Sequence, residues 1–333
     1  TLMRSLILVL FLLPFLAYAD ACVSGDCENG YGKFVNDAGE SYEGGWLNGR
    51  SHGQGTYIGK SGDKYVGSFK NGSMTGKGTY YYADGGVYTG EFLNYRKHGQ
   101  GTYRHANGDT YTGGFKDSKR SGKGTYISAD GWKYDGYWKQ GKKDGQGKLI
   151  SSNGDTYEGN FVRGKKEGTG VLRWENGSTY SGQFKDGAFH GVGYRTYVNG
   201  NTYKGDYQYG KKSGYGTFKY ANGNKYDGQF KANEKNGKGT FRWADGSSYT
   251  GEFLNNTFHG TATRLYANGE KYVGSFKNGK KDGAGVYYRR NGDKFTGFWK
   301  ENKKEGSGLF VTASGTKVQC VFKNDVLISY SKI

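Results

Sequence analysis

The chain has 333 residues, with 48 Lys and Arg against 30 Asp and Glu, a formal net charge of +18, 62 Gly, 31 Tyr and a single Pro. Such a basic balance admits anionic partners, and apart from one short apolar run near the start no hydrophobic span is present, which excludes a bundle of membrane-crossing helices.

Residues 1–19 read as an export signal. Arg4 precedes an apolar run from Leu6 to Leu16, and Ala17-Tyr18-Ala19 is a small-x-small cleavage site, predicting a mature start at Asp20 with Met3 as the initiating residue. The run is short for a spanning helix, which needs about 20 residues. A retained anchor and lipidation at Cys22 stand as alternatives, although Ala19-Asp20-Ala21 lacks the leucine a lipidation site prefers. The expected location is secreted, periplasmic or cell-envelope. Cleavage would remove Pro14 and Arg4, leaving 47 basic against 30 acidic residues, +17.

Residues 20–41 form an N-terminal cap, in which Gly30, Gly32, Phe34 and Gly39 match the second half of the unit that follows. From Tyr42 the chain repeats every 23 residues without insertion or deletion. An aromatic followed two residues later by Gly falls at Tyr42, Tyr65, Tyr88, Tyr111, Tyr134, Tyr157, Tyr180, Tyr203, Tyr226, Tyr249, Tyr272 and Phe295, so twelve units cover residues 42–317. A fixed period of this size means a stacked array of one small motif. Residues 318–333 are a C-terminal cap, with Val318, Cys320 and Phe322 at positions 1, 3 and 5 of a degenerate unit and an apolar tail, Val326 to Ile333, expected to cover the last open edge.

Within a unit, numbered 1–23 from the anchor, Tyr65, Gly67 and Phe69 alternate with Val66, Ser68 and Lys70, a strand with one packed face. Gly76, Gly78 and Tyr80 repeat the pattern, and Asn-Gly or Asp-Gly closes ten of the twelve units, favouring a tight hairpin turn. The expected fold is all-β, an elongated single-layer antiparallel meander of stacked hairpins. Gly occupies positions 3 and 12 of every unit, and aromatics at positions 1, 5 and 16 are expected to stack over glycines at 3, 12 and 14. On that reading, Gly145→Val or Gly168→Val inserts a branched side chain under an aromatic ring. An exposed stacking platform for bases or sugars is the alternative use of so many rings.

The segments YVGSFKNGSMTGKGTYYYADGG and YTGEFLNYRKHGQGTYRHANGD resemble the MORN (membrane occupation and recognition nexus) repeat, and the resemblance covers 276 of the 333 residues. Similar repeats occur beside lipid-kinase domains, in membrane-junction proteins, beside a histone methyltransferase domain and in bacterial exported proteins. The resemblance implies an elongated, twisted single-layer sheet and no particular chemistry.

Positions 9 and 10, placed in the loop between the two strands, are both basic in seven units: Arg96-Lys97, Lys119-Arg120, Lys142-Lys143, Lys165-Lys166, Lys211-Lys212, Lys280-Lys281 and Lys303-Lys304. Position 6 adds Lys70, Lys116, Lys139, Lys185, Lys231, Lys277 and Lys300. Stacking would align these along one rim about 10 Å apart, able to recruit acidic lipid, an envelope polymer or an acidic protein; nucleic acid is not expected. The bland reading is a solvated edge that prevents aggregation. Asp144, Glu167, Asp282 and Glu305 directly follow four of the pairs and are read as weakening the field. Repeats seven and ten depart alike, with Phe189-His190 and Phe258-His259, Arg195 and Arg264 at position 16, and Tyr197 and Tyr266 at position 18. They are read as a secondary patch, or as copies related by duplication.

Three cysteines leave one over. Cys320 sits at the far end of the array, so Cys22–Cys27 is the internal bridge that reach allows, with Cys320 a small substitute for Gly. No catalytic constellation is apparent. His52, His98, His190 and His259 all fall at position 11 but two to four units apart, too far to share a metal or substrate, His105 has no suitable neighbour, and no acidic loop has the EF-hand spacing. The sequence therefore points to a non-enzymatic exported scaffold without cofactor or metal, binding a protein or anionic surface through a basic rim. The alternative is a carbohydrate or envelope-polymer binder using exposed aromatics such as Tyr81, Tyr137 and Phe298.

Overall fold

The structure, a computed structural model, describes residues 22–333; the signal segment and its cleavage site lie outside the described residues. No helix occurs among the described residues, and the chain forms two compact units, one running to Lys142 and the other from Lys143 onward. Within each, strands pair antiparallel with their neighbours in sequence, as Lys64–Lys70 pairs with Ser73–Tyr81, and Thr156–Val162 with Lys165–Arg173. Every repeat gives one seven-residue and one nine-residue strand, the expected hairpin meander.

The two rims use different turns. At positions 7 and 8 both residues take positive φ, Asn48 at 49° and Gly49 at 66°, Asn94 at 48° and Tyr95 at 63°. That is the mirror-image two-residue turn that matches strand twist. The Asn/Asp-Gly dipeptide, expected to make this tight turn, belongs instead to a wider loop at positions 18–22. There Gly108 alone has positive φ (93°), and Asn107 uses its side-chain oxygen to accept the Asp109 N–H at 3.1 Å.

One face is built around position 1. Gly67 and Gly78 are partners across the hairpin, and the Tyr65 ring covers both: a Cβ built on Gly78 would stand 2.5 Å from that ring. The same ring sits edge-on to Phe69 of its own repeat at 5.1 Å and to Phe92 of the next at 5.0 Å. Tyr65, Tyr88, Tyr111, Tyr180 and Tyr272 are completely buried by this ladder, each ring contact adding about 0.5–1.5 kcal/mol beyond its burial. The hydroxyl is satisfied as well. Tyr65 Oη donates to the Ser68 carbonyl at 3.1 Å and Tyr157 Oη to the Asn160 carbonyl at 3.0 Å, and the bond recurs at every Tyr of position 1. Burial pushes the phenols up, Tyr65 and Tyr157 to about 12.

Position 4 contributes that carbonyl because the ladder is interrupted there. Pairing jumps from Gly67↔Gly78 to Phe69↔Met74, so three residues of the second strand face one of the first. The position-4 side chain turns to the other face and closes the gap: Glu91 Oε1 accepts the Gln100 N–H at 3.0 Å, and Asp206 Oδ2 the Tyr215 N–H at 3.0 Å.

Gly at position 12 lies inside this bulge, not beneath an aromatic as the sequence reading expected. Its φ is positive, 100° at Gly145 and 64° at Gly168, and a Cβ on Gly168 would meet the side chain of Asn160, at position 4, at 3.4 Å on the face opposite the rings. The requirement is for left-handed backbone, not for space under a ring. The tail adds one more strand to the array. It covers the edge of Lys317–Lys323 by pairing with it as a further strand, Val326–Lys332, which is itself exposed along its whole length. At the other end Tyr31–Val35 continues the array in register, Gly32 opposite Gly44, and Cys22 is bonded to Cys27 with Cα atoms 6.0 Å apart. Cys320 is a buried free thiol opposite Gly308.

Gly168→Val is expected to lower stability by about 2 kcal/mol, the cost of forcing a branched residue into positive φ. Gly168→Asn, which tolerates that conformation, should lose clearly less. Thermal melts decide, and equal losses would mean that side-chain volume, not backbone conformation, fixes this glycine.

Candidate functional site

The seven basic pairs do not share one environment. Positions 9 and 10 are the first residues of the second strand, not loop residues, as in Arg96–Arg104 and Lys211–Lys219. Successive residues of a strand point to opposite sides, so each pair is split. Arg96, Lys119, Lys142, Lys165, Lys211, Lys280 and Lys303 are exposed, whereas Lys97, Arg120, Lys143, Lys166, Lys212, Lys281 and Lys304 are half-buried on the aromatic face.

The inward cations rest on ring faces. Lys97 Nζ lies 4.2 Å from the Tyr103 ring centre, 5.3 Å from Tyr82 and 5.6 Å from Tyr88, and bonds the Tyr82 hydroxyl at 3.1 Å. Arg120 sits 4.2 Å over Trp138 and 5.1 Å over Tyr126; Lys212 lies 4.6 Å from Phe218 and 5.5 Å from Tyr203; Lys304 lies 5.0 Å from Phe322. Such contacts contribute about 0.5–2 kcal/mol each, more as water is excluded. Loss of water acts the other way on the ammonium, pulling Lys97 and Lys212 down to about 8 from 10.5. Lys235 occupies the same cage, 4.9 Å from Phe241, although Glu234 precedes it. A search for basic pairs passes over it; the strand parity of position 10 would have found it.

Repeats seven and ten exchange the two partners. Phe189 at position 10 stacks on Tyr180 at 3.8 Å, and Phe258 on Tyr249 at 3.9 Å. The cation moves to position 16, where Arg195 lies 4.7 Å from Trp174 and 4.5 Å from Tyr197, and Arg264 lies 3.5 Å from Trp243 and 5.3 Å from Tyr266. In repeat seven the departure keeps a cation–aromatic contact between positions 10 and 16 with its members reversed, Arg195 lying 5.8 Å from Phe189; in repeat ten Arg264 rests on Trp243 and Tyr266. The two departures do not form one patch. His190 is on the other side of the sheet from Phe189, near Tyr209 at 5.7 Å, and the two repeats are six strands apart, about 29 Å.

The acids after the basic pairs have a structural task. Asp144 Oδ2 accepts the Arg163 N–H at 3.1 Å, Glu167 Oε2 the Asp186 N–H at 2.9 Å, and Glu305 Oε2 the Asn324 N–H at 2.8 Å, each holding the turn of the next repeat. Charge on the outer residues is offset elsewhere, by exposed pairs such as Arg96–Asp117 at 3.5 Å, Lys165–Asp186 at 2.8 Å and Lys280–Glu301 at 3.4 Å, which add little stability. The position-6 lysines named from the sequence are all exposed.

On the polar face Tyr81, Tyr137 and Phe298 are exposed, but they occupy position 17 of repeat two and position 4 of repeats five and twelve, and make no continuous track. Acids at position 22 tie neighbouring loops together. Asp109 accepts from the Tyr126 hydroxyl and from the Ala129 N–H at 2.9 Å, which holds its carboxyl at about 2. Among the described residues no group of three or more His, Cys, Asp or Glu is placed to hold a metal.

The MORN repeat family model matches twelve consecutive segments, 42–64 through 295–317, in the register of the hairpins. No curated protein matches the chain. Solved structures with some similarity to this chain include the TCP domain of Drosophila melanogaster SAS-4 in complex with a proline-rich motif of Ana2, at 10% identity and TM-score 0.28, covering 50% of this chain and 83% of that one. The TCP10 domain of Danio rerio CPAP is similar at 10% identity and TM-score 0.25, covering 70% and 99%. Virginiamycin B lyase from Staphylococcus aureus is similar at 12% identity and TM-score 0.13, covering 91% and 87%. Likenesses this distant carry nothing about function.

If the reversal in repeat seven conserves one contact, Phe189→Lys alone and Arg195→Tyr alone should each destabilise, and the double variant should recover about 1 kcal/mol relative to their sum. Additive losses in melts would show that the positions are independent. A pH scan gives a second check. Lys97 and Lys212 have folded values near 8, below their ordinary 10.5, so between these limits the unfolded chain binds more protons and their contribution to stability rises with pH. Tyr65 and Tyr157, raised from 10.0 to about 12, contribute stability that is lost as pH climbs through that range. A Lys97→Met, Lys212→Met variant, copying Met74 of repeat two, should keep the alkaline loss and show a smaller rise between pH 8 and 10.

Proposed function

The chain belongs to the MORN repeat family, and we propose that it is a non-catalytic binding scaffold that engages an anionic partner surface through the outer half of its basic rim. The observation that carries this reading is the division of the basic residues. Those at position 10 are held in aromatic cages, so the groups exposed toward a partner are at positions 6 and 9: Lys70, Lys116, Lys139, Lys185, Lys231, Lys277 and Lys300 with Arg96, Lys119, Lys142, Lys165, Lys211, Lys280 and Lys303, three of them in exposed ion pairs a partner's acid can replace. Within a unit they recur at the repeat spacing of about 10 Å, close to the screening length of about 8 Å at physiological salt. Each cation then acts weakly, and attraction accumulates over neighbouring repeats.

The partner is a surface of matching periodicity and negative charge, either an acidic protein or the acidic lipid or polymer of a cell envelope. Placement outside the cell is part of this proposal and rests on the signal-like residues 1–19. Binding energy comes from the sum of many exposed charges, so it must be strongly salt-dependent.

Charge reversal at Lys116, Lys119, Lys139 and Lys142 is expected to lower affinity for vesicles containing acidic lipid, or for an acidic polymer, and to flatten the salt dependence. Single reversals should have little effect, and Lys97→Met with Lys166→Met, both caged lysines, should leave affinity unchanged. A chain that ignores both acidic surfaces at low salt, or one whose binding follows the caged lysines instead, would overturn the reading.

A further inference from the structure

One stretch of the aromatic face leaves polar atoms unused. Where eight repeats carry Phe and three carry Trp at position 5, repeat eight shares its residue with none: Tyr207 is buried to 4% exposure, and its hydroxyl has no hydrogen-bond partner. Arg195 Nε is likewise buried without one. These atoms belong to one neighbourhood. Arg195 is the strand partner of Tyr203 on one side, Lys212 Nζ stands 5.5 Å from the Tyr203 ring on the other, and Tyr207 is the strand partner of Lys212. The reversal in repeat seven therefore sets its relocated cation beside the ordinary caged cation of repeat eight.

Counter-charge is missing from the same place. In some other repeats an acid at position 22 of the preceding unit supports the caged cation, Asp109 for Arg120, Asp155 for Lys166 and Glu270 for Lys281, whereas Gly86 and Asn224 stand there before Lys97 and Lys235. Here that position is Asn201, whose side-chain oxygen is taken by the Ala221 N–H at 2.8 Å. Lys212 is lowered first by burial and then by the positive charges of Arg195 and Lys235. At the sister site Arg264 Nη1 is also buried without a partner, but position 5 of the following repeat is Phe276, which has no hydroxyl, and Glu270 is present.

We propose that Arg195, Tyr207 and Lys212 form a binding site for one compact oxyanion, the phosphate, sulfate or carboxylate group of a larger partner. The ring centres of Trp174 and Tyr197 lie 4.7 and 4.5 Å from the guanidinium carbon, and the buried Nε–H, which has no partner, would donate a charge-assisted hydrogen bond to the anion. The Tyr207 hydroxyl donates a second, and the Lys212 ammonium supplies charge. This goes beyond the rim reading: one saturable site on the aromatic side, set by hydrogen bonds, in place of a summed surface field.

The test follows arginine Nε–Hε and lysine side-chain signals by NMR while sodium phosphate, sulfate or acetate is added at constant ionic strength. Saturation of the Arg195 signal by any of the three at about millimolar concentration, with Lys212 titrating above its starting value of about 8, supports the site, and the anion preferred identifies the group. Tyr207→Phe, which installs the residue most repeats carry, should keep the melting midpoint and weaken binding at least about tenfold. Arg264→Leu, and reversal of Lys116 and Lys119, should leave it unchanged, so failure of the rim reading would not touch this one. A linear, non-saturating response to all three anions, or affinity unaltered in Tyr207→Phe, overturns the proposal.

Discussion

A tyrosine ring laid across two facing glycines is the contact on which the rest of this structure depends. Tyr65 covers Gly67 and Gly78, and the same arrangement recurs in each repeat, with Ala262 as a substitute in repeat ten and Phe295 as the ring in repeat twelve. The absent side chains let the ring lie flat on the backbone, and its hydroxyl reaches the carbonyl freed by the bulge at position 4. A net hydrogen bond of about 1 kcal/mol is thereby added to each buried ring. The glycines weaken the strands on which they stand, and the ring restores what they lose. A single layer with no second sheet to pack against thus acquires a core of its own, one ring per hairpin joined edge-to-face to the next.

That core decides which charges a partner can meet. With the aromatic side fixed by position 1, strand parity turns position 10 inward and position 9 outward, so a pair that reads as one basic doublet becomes a structural cation and a surface cation. The inward member sits over rings that would otherwise be open to water at the rim, its stem covering them while its charge meets their negative faces. Repeats seven and ten reach the same end with Arg at position 16 and Phe at position 10. In repeat seven, conservation of the contact through exchange of its members is what a packing requirement produces.

Fold class, repeat boundaries and the aromatic face were legible in the sequence because all three follow from period. A spacing of 23 with alternation at two admits little besides stacked hairpins. What was misread involves departures from regular pairing. The bulge opposite position 4 has no marker except Gly at position 12, and a glycine required for positive φ looks the same in sequence as one required for space under a ring. The same displacement put positions 9 and 10 in a loop that is only two residues long, and hid the task of Asp144 and Glu167 as acceptors for the next turn. The reversal at Arg195 was visible as a pattern, but its meaning needed Trp174 of the preceding repeat, a neighbour in space twenty-one residues away.

Lysine side-chain NMR tests the central division most directly. The protons next to Nζ in Lys97 and Lys212 should be shifted upfield by the ring faces beside them, and both groups should titrate near 8. Signals for these two lysines at unshifted positions, titrating at the ordinary 10.5, would place them in water beside their position-9 neighbours and contradict the account.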